Sequence, residues 1–184
     1  MNSSTKSIFL VILTTLLLST LLVSIDASIA VATFNHKLSG TVKFIFSQNE
    51  VKIVANINGL KPGFVYPYHL HEFPIKDHNC TSAGGHLDPT HANVKGKVYL
   101  CDPNQPKTCE VGDISGKYGN LVPDANGHAF KSVQDPSIKL SGDFGVEGRS
   151  VVIHLLDLNK TRIDCANIVI ENSTRKRRRD HRLF

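Results

Sequence analysis

Features of helical and repetitive proteins are missing from this sequence of 184 residues. Outside an apolar N-terminal stretch, no segment repeats its apolar residues with a helical period, and the chain has no internal repeat. These absences disfavour helical bundles and solenoids. None of the four cysteines forms a C-x-x-C pair, so the usual sequence pattern of a cysteine-bound structural zinc site is absent too. The length suits a single domain with a sizeable core.

The body of the chain has no excess of either charge. Residues 31–171 contain fourteen lysines and arginines and fourteen aspartates and glutamates, and the net charge of +5 comes from the basic residues between positions 175 and 182. We interpret residues 172–184 as a disordered basic tail that binds polyanions. A merely solvated end, or a processing site for a protease that cuts at basic residues, is the alternative.

The N-terminal thirty residues form a separate segment. Lys6 is followed by an uncharged, mostly apolar stretch over residues 8–25, and then by small residues that suit signal-peptidase cleavage. This pattern predicts a signal peptide over residues 1–30 and a secreted domain over residues 31–171. An uncleaved membrane anchor is the alternative, although the apolar stretch is near the lower length limit for a span.

Cysteines and glycosylation motifs agree with export. An even number of cysteines in a secreted chain predicts two disulfides; they are Cys80, Cys101, Cys109 and Cys165. Three Asn-x-Thr motifs predict glycosylation, at Asn79, Asn159 and Asn172. Export also disfavours nucleic acid as a partner of the basic tail, so sulfated polysaccharides or an anionic cell surface are the expected partners.

Two neighbouring segments alternate apolar and polar residues. Residues 41–47 and 50–57 follow this pattern around a short turn, which predicts a β-hairpin with one buried face. We predict further strands over residues 66–72, 111–122, 129–133 and 150–156. Short strands separated by turns favour an all-β antiparallel sandwich or barrel.

A long stretch between these strands has no regular pattern. Residues 73–110 are rich in Pro, Gly, Asn and Asp, and a loop of this length in a compact domain is usually functional or cross-linked. Cys101 and Cys109 both lie in this loop, so a local disulfide between them would restrain it.

Four histidines form the candidate metal site. His69 and His71 alternate on a predicted strand, so both side chains project from one face and can reach one ion. His86 follows in a Gly-rich loop, and His154 alternates with apolar residues on a later strand. Imidazole binds copper and zinc well. Surface histidines or a satisfied core histidine are the alternative interpretation.

Five sequence blocks resemble, in their order, those of the copper/zinc superoxide dismutases. They are HLHEF (69–73), CTSAGGHLDP (80–89), VGDISG (111–116), LSGD (140–143) and GRSVVIH (148–154). The resemblance covers most of the domain and implies a Greek-key antiparallel β-barrel. It implies that the copper ligands are His69, His71, His86 and His154, that Cys80 pairs with Cys165, and that Arg162 is the active-site arginine.

The second metal site of the family is incomplete in this sequence. His86 and Asp113 match two of its zinc ligands, but Glu110 and Val94 stand where the family has histidines. His78 and His91 lie nearby at other spacings. His91 and Glu110 would be the candidates to replace the two missing zinc ligands. Tetrahedral zinc needs three or four ligands. We therefore expect copper without zinc.

The interval between His154 and Cys165 is also unusual. Only ten residues intervene, where the family usually carries a long charged loop that covers the copper and guides substrate. Both departures resemble the extracellular copper-only superoxide dismutases. That resemblance implies that Glu110 hydrogen-bonds the free nitrogen of His86 and fixes its tautomer, that Asp113 supports Glu110 or the loop, and that the protein is a monomer.

The resemblance implies that the protein is an extracellular enzyme of antioxidant defence. Superoxide would be converted to dioxygen and hydrogen peroxide as copper alternates between Cu(II) and Cu(I), with His86 leaving copper and taking a proton on reduction. Arg162 would bind the anion with a charge that is fixed at any working pH. A non-enzymatic copper-binding protein with a dismutase fold, or a surface-attached protein in which the basic tail matters most, is the alternative function.

Overall fold

Seven antiparallel strands form one curled sheet in the computed structural model, which describes residues 28–171. The all-β, barrel-type fold expected from the sequence is confirmed. The strands are β1 (Ile29–Asn35), β2 (Ser39–Phe46), β3 (Val51–Asn58), β4 (Tyr68–His71), β5 (Ala129–Asp135), β6 (Ser150–His154) and β7 (Arg162–Glu171). The predicted signal peptide overlaps the described residues only at positions 28–30, and the basic tail with Asn172 lies outside them.

The hydrogen-bonded order of the strands is β4-β6-β7-β1-β2-β3-β5. The predicted hairpin is present as β2 and β3, which pair along their whole length from Phe46 with Val51 to Ser39 with Asn58. β7 joins the two halves of the sheet, because it pairs with both β1 and β6. The longest excursion from the sheet lies between β4 and β5, and it contains His86, Glu110 and Asp113.

The core follows from the alternation along the strands. In β3 the side chains of Val51, Ile53, Ala55 and Ile57 are fully buried, whereas Lys52 and Asn56 between them are exposed and Val54 is half-buried. β4 and β6 instead bury every residue, which is the pattern of strands that are covered on both faces. The histidines of these two strands are therefore placed deep in the molecule.

One sequence-based prediction is wrong. Residues 111–122 were predicted as a strand, but they contain a short α-helix, α1 (Ile114–Tyr118). The side chain of Asp113 accepts a hydrogen bond from Gly116 N at 2.7 Å, and such a cap favours the helical turn over an extended strand. Lys117 in α1 then pairs with the buried Asp135 at the end of β5, which anchors the helix to the barrel. β7, ten residues long, was not predicted as a separate strand.

Gly112 is the point where three segments near the histidines cross. Its carbonyl accepts from Leu70 N at 2.9 Å, and its own N–H donates to Leu87 O at 2.7 Å, while Leu87 N donates to Leu70 O at 2.9 Å. These backbone hydrogen bonds tie β4 to the segment of His86 and to the segment between Glu110 and Asp113. A side chain at position 112 would collide with this crossing, so glycine is required there.

Two disulfides restrain the long loop. Cys80 pairs with Cys165 across 85 residues of sequence, and Cys101 pairs with Cys109 across 8. Both pairings were expected from the sequence and are confirmed. No helix within residues 28–171 is long and apolar enough to cross a membrane.

Candidate metal centre

The four predicted ligands lie together in the structure. His69 and His71 come from β4, His154 from the end of β6, and His86 from the loop after the first disulfide cysteine. Each histidine offers one ring nitrogen, and these nitrogens all lie within 4.8 Å of one another. The Nε2 atoms of His71 and His154 are 3.3 Å apart. The spacing fits a single ion bound by four imidazoles.

The other ring nitrogens of three histidines have partners. Nδ1 of His71 lies 3.1 Å from Gly84 O, and Nδ1 of His154 lies 3.0 Å from Lys160 O. A ring whose Nδ1–H donates to a carbonyl has its Nε2 lone pair free for a metal. His69 differs, because its Nδ1 is buried and has no hydrogen-bond partner. A buried acceptor of this kind is costly unless a ligand satisfies it, and a metal ion would do so.

Burial and nearby positive charges lower the pKa of three of the four imidazoles. Burial is the main reason that the pKa of His71 falls to about 3, and the charges of His86 and Arg162 add to this effect. Burial also lowers the pKa of His69 well below its ordinary value and lowers that of His154. Metal ions bind the neutral form of imidazole, so these shifts leave the nitrogens ready for a metal at neutral pH.

A carboxylate occupies the outer side of His86. Oε2 of Glu110 contacts Nδ1 of His86, and the other oxygen, Oε1, accepts a hydrogen bond from Asn93 Nδ2 at 2.7 Å. Glu110 is buried, with 5% of its surface exposed. The contact directs Nε2 of His86 toward the other three histidines, because a ring that donates from Nδ1 presents its lone pair at Nε2.

Asp113 lies beside a different histidine. Its Oδ1 is 3.5 Å from Nε2 of His69 and also caps α1, and its Oδ2 accepts a hydrogen bond from the Tyr99 hydroxyl at 2.8 Å. The Tyr99 hydroxyl in turn accepts from Glu110 N at 3.0 Å. Tyr99 thus connects the two acidic residues, and neither Tyr99 nor Asn93 was singled out from the sequence.

Arg162 reaches the centre from the start of β7. Its guanidinium donates to Cys80 O and, at 2.6 Å, to Gly84 O. Gly84 O is also the partner of His71 Nδ1, so one carbonyl links the arginine to a ligand of the centre. Burial lowers the pKa of Arg162 from its ordinary value, yet an arginine remains charged at any working pH.

Other residues considered from the sequence lie away from the centre. His78 and His91 are exposed and belong to neither of the metal-ligating groups found among residues 28–171. Asn79 and Asn159 are exposed, as glycosylation requires. The signals for Tyr99 and Asn93 were weak, since each is a lone polar residue in an irregular loop.

The fold and the site together define an antiparallel β-barrel protein with a four-histidine metal centre. The family model for copper/zinc superoxide dismutase matches residues 38–173. The chain therefore belongs to the copper/zinc superoxide dismutase family.

Individual relatives agree with this assignment. A Cu-Zn superoxide dismutase of Paramecium bursaria Chlorella virus 1 is 32% identical over 151 residues, which is 80% of this chain and 73% of the viral protein. The cell surface Cu-only superoxide dismutase 5 of Candida albicans is 31% identical over 75% of this chain, but the match spans only 58% of that relative. The solved Cu(II) structure of superoxide dismutase 5 from Candida albicans superposes with a TM-score of 0.64 at 28% identity, over 81% of this chain and 95% of the other.

Proposed function

We propose that this protein is an extracellular superoxide dismutase that works with copper alone. The observation that carries the proposal is the convergence of four imidazole nitrogens next to an arginine guanidinium. Bound there, copper would supply one-electron exchange, so that two superoxide anions and two protons give dioxygen and hydrogen peroxide.

Copper fits the donor set. Four imidazole ligands favour a borderline transition metal over magnesium or calcium, which prefer oxygen ligands. His69, His71, His86 and His154 would hold the ion, with His69 using Nδ1 because that nitrogen has no other partner. The other three would use Nε2, since their Nδ1 atoms have carbonyl or carboxylate partners.

Arg162 and His86 would perform the remaining chemistry. The guanidinium of Arg162 is held by two carbonyls in a fixed orientation, so it can bind a small anion next to the histidines. Nε2 of His86 is the atom at which a proton would be held for the forming peroxide, because Glu110 engages Nδ1 and so directs Nε2 toward the other histidines.

The same contacts favour copper without zinc. Zinc in this family would need His86 Nδ1 and Asp113, but His86 Nδ1 contacts Glu110, and both Asp113 oxygens have hydrogen-bond partners. The two further ligand positions are Glu110 and Val94, and Val94 has no donor atom. The Cu-only relative from Candida albicans supports this choice by analogy.

A metal and activity assay tests the proposal. Pure protein loaded with copper should bind about one copper and no zinc and should disproportionate superoxide, and His71→Asn should lose both copper and activity. His128→Asn is the matched control, because His128 is a half-buried histidine whose Nε2 lies 2.9 Å from Asn56 Oδ1, away from the centre. Stoichiometric zinc would refute the copper-only assignment. Copper-loaded protein without dismutation would instead favour a non-enzymatic copper-binding role.

Export and surface attachment belong to the same proposal. Ile29 and Ala30 belong to β1 and pair with Ile45 and Phe44 of β2, which supports signal cleavage before Ile29, two residues earlier than the sequence pattern predicts. Among the relatives, cell surface and extracellular dismutases support secretion. Retention of the protein on heparin, lost on deletion of residues 175–184, would support polyanion binding by the basic tail; equal retention of both forms would refute it.

A further inference from the structure

Tyr99 hydrogen-bonds to both acidic residues at the metal centre. Its hydroxyl accepts a hydrogen bond from Glu110 N at 3.0 Å and donates one to Asp113 Oδ2 at 2.8 Å. Glu110 contacts His86, and Asp113 lies 3.5 Å from Nε2 of His69. The Tyr99 hydroxyl is therefore linked to His86 through Glu110 and to His69 through Asp113.

The second disulfide brings Tyr99 to this position. Cys101 comes two residues after Tyr99, and Cys109 comes immediately before Glu110, so the Cys101–Cys109 bond closes the chain between the tyrosine and its hydrogen-bond partner. The small loop also contains its own hydrogen bonds, from Asp102 N to Thr108 Oγ1 and from Gln105 N to Asp102 O. Its ends are thus held in a fixed relative position.

Hydrophobic burial does not explain why Tyr99 faces inward. Its neighbours Val98 and Leu100 are 85% and 76% exposed, although both are aliphatic. This loop therefore half-buries a tyrosine while it leaves Val98 and Leu100 in solvent. The two hydrogen bonds of the hydroxyl are the specific contacts that fix the side chain, and both partners, Glu110 and Asp113, are buried.

We propose that Tyr99 is a positioning residue for the metal centre. Held by the Cys101–Cys109 disulfide, its hydroxyl fixes Glu110 against His86 and Asp113 beside His69, and Asn93 completes the arrangement by donating to the second oxygen of Glu110. In this chain a tyrosine hydroxyl and an amide thus immobilise the acidic residues that a second metal ion would otherwise organise. The inference rests on the proposed function.

Removing only the hydroxyl tests the proposal. In Tyr99→Phe, a buried carboxylate oxygen and a buried N–H lose their partner, and either water or a rotated Asp113 must replace it. We expect the electron paramagnetic resonance spectrum of the Cu(II)-loaded protein to change and copper to bind about 3- to 10-fold more weakly in competition with a chelator, the factor that corresponds to one hydrogen bond. Cys101→Ser/Cys109→Ser should change the spectrum in the same direction.

Tyr66→Phe is the matched control. The Tyr66 hydroxyl also accepts from a backbone N–H, that of Lys61 at 3.0 Å, but it lies outside the metal centre. This control should lose stability without a change in the copper spectrum. If Tyr99→Phe behaves in the same way, with reduced stability and an unchanged spectrum and copper affinity, Tyr99 has only a structural role and the proposal is wrong.

A second comparison shows whether Tyr99 acts through Glu110. We expect Tyr99→Phe to weaken copper binding less in a Glu110→Ala background than in the native chain, since coupled residues are not additive. Equal effects in both backgrounds would overturn the proposed route. These spectra and affinities do not require catalysis. A wild-type protein that binds copper without dismutating superoxide would therefore refute the proposed function, while the positioning role of Tyr99 would still be tested by copper binding.

Discussion

At the scale of single residues, each histidine is oriented by what its second nitrogen touches. A main-chain carbonyl orients His71 and another orients His154, whereas a carboxylate orients His86. The set of four histidines was predicted from the His-x-His spacing together with the family resemblance. The partners were not, since carbonyls such as Gly84 O and Lys160 O have no signature in a sequence.

Two properties of Arg162 can be tested separately at this scale: its positive charge, and the fixed orientation that two carbonyls give its guanidinium. Arg162→Ala should lower kcat/KM for superoxide by about 10- to 100-fold with copper still bound, because one charge-assisted hydrogen bond to the anion contributes roughly 1.5–3 kcal/mol. Arg162→Lys should recover part of the rate, since it keeps the charge but cannot bond Cys80 O and Gly84 O together. Pulse radiolysis at fixed salt measures both; an unchanged rate in the alanine variant would contradict the assigned role.

The buried imidazoles predict how pH affects the metal-free protein. The pKa of His71 is about 3 in the fold and 6.5 in its ordinary state, so between these values the unfolded chain binds more protons. Stability must therefore rise with pH across this window, and His71 alone contributes about 1.4 kcal/mol per pH unit. Denaturant unfolding of metal-free protein between pH 4 and 7 measures the slope. His71→Gln should have a shallower slope, and a flat profile in the native chain would contradict the prediction.

At the scale of elements, the centre depends on how β4 and two loop segments cross. The His-x-His spacing places His69 and His71 on one strand, but only the crossing at Gly112 brings the loop with Glu110 and Asp113 against that strand. The wrong prediction of a strand over residues 111–122 has the same origin. The cap from Asp113 and the buried pair of Lys117 with Asp135 stabilise α1, and the sequence pattern of the segment reveals neither contact.

Gly112→Ala tests the crossing. The added Cβ would lie 2.1 Å from Leu70 O and 2.7 Å from Leu87 N, and these backbone atoms cannot move without separating the segments. We expect unfolding free energy to fall by about 1–3 kcal/mol, as for overpacked sites, and copper affinity to fall with it. Gly85→Ala is the control, because its Cβ would meet only Glu72 Oε2, at 3.8 Å. Equal stability of the two variants would contradict the crossing as a restraint.

At the scale of the whole molecule, the first disulfide joins the site to the barrel. Cys80 carries the carbonyl that holds Arg162, and Cys165 lies three residues after Arg162 on β7. The bond therefore restrains the unfolded chain across 85 residues and also fixes the loop that orients the arginine. The pairing was implied by the family resemblance, whereas the contact between Arg162 and Cys80 O is visible only in the fold.

Cys80→Ala/Cys165→Ala should affect stability and rate together. Loss of a disulfide that closes a loop of this length costs about 2–5 kcal/mol, and the freed loop should lower turnover because Arg162 loses a fixed partner. Cys101→Ala/Cys109→Ala is the comparison for stability, since it opens a much shorter loop and should cost less. Thermal unfolding and the dismutation rate are the measurements. A double variant with native turnover would show that the first disulfide does not position the arginine.

The sequence by itself indicated the class of fold and the residues available for a metal centre. Alternation in β2 and β3, the spacing of His69 and His71, and the cysteine count are local or compositional properties, and they needed no knowledge of distant contacts. Only the tertiary structure decided how the centre is held. Tyr99 meets Glu110 across a closed loop, and Arg162 meets Cys80 across 82 residues, because long-range hydrogen bonds depend on where the chain returns and not on which residues are neighbours in sequence.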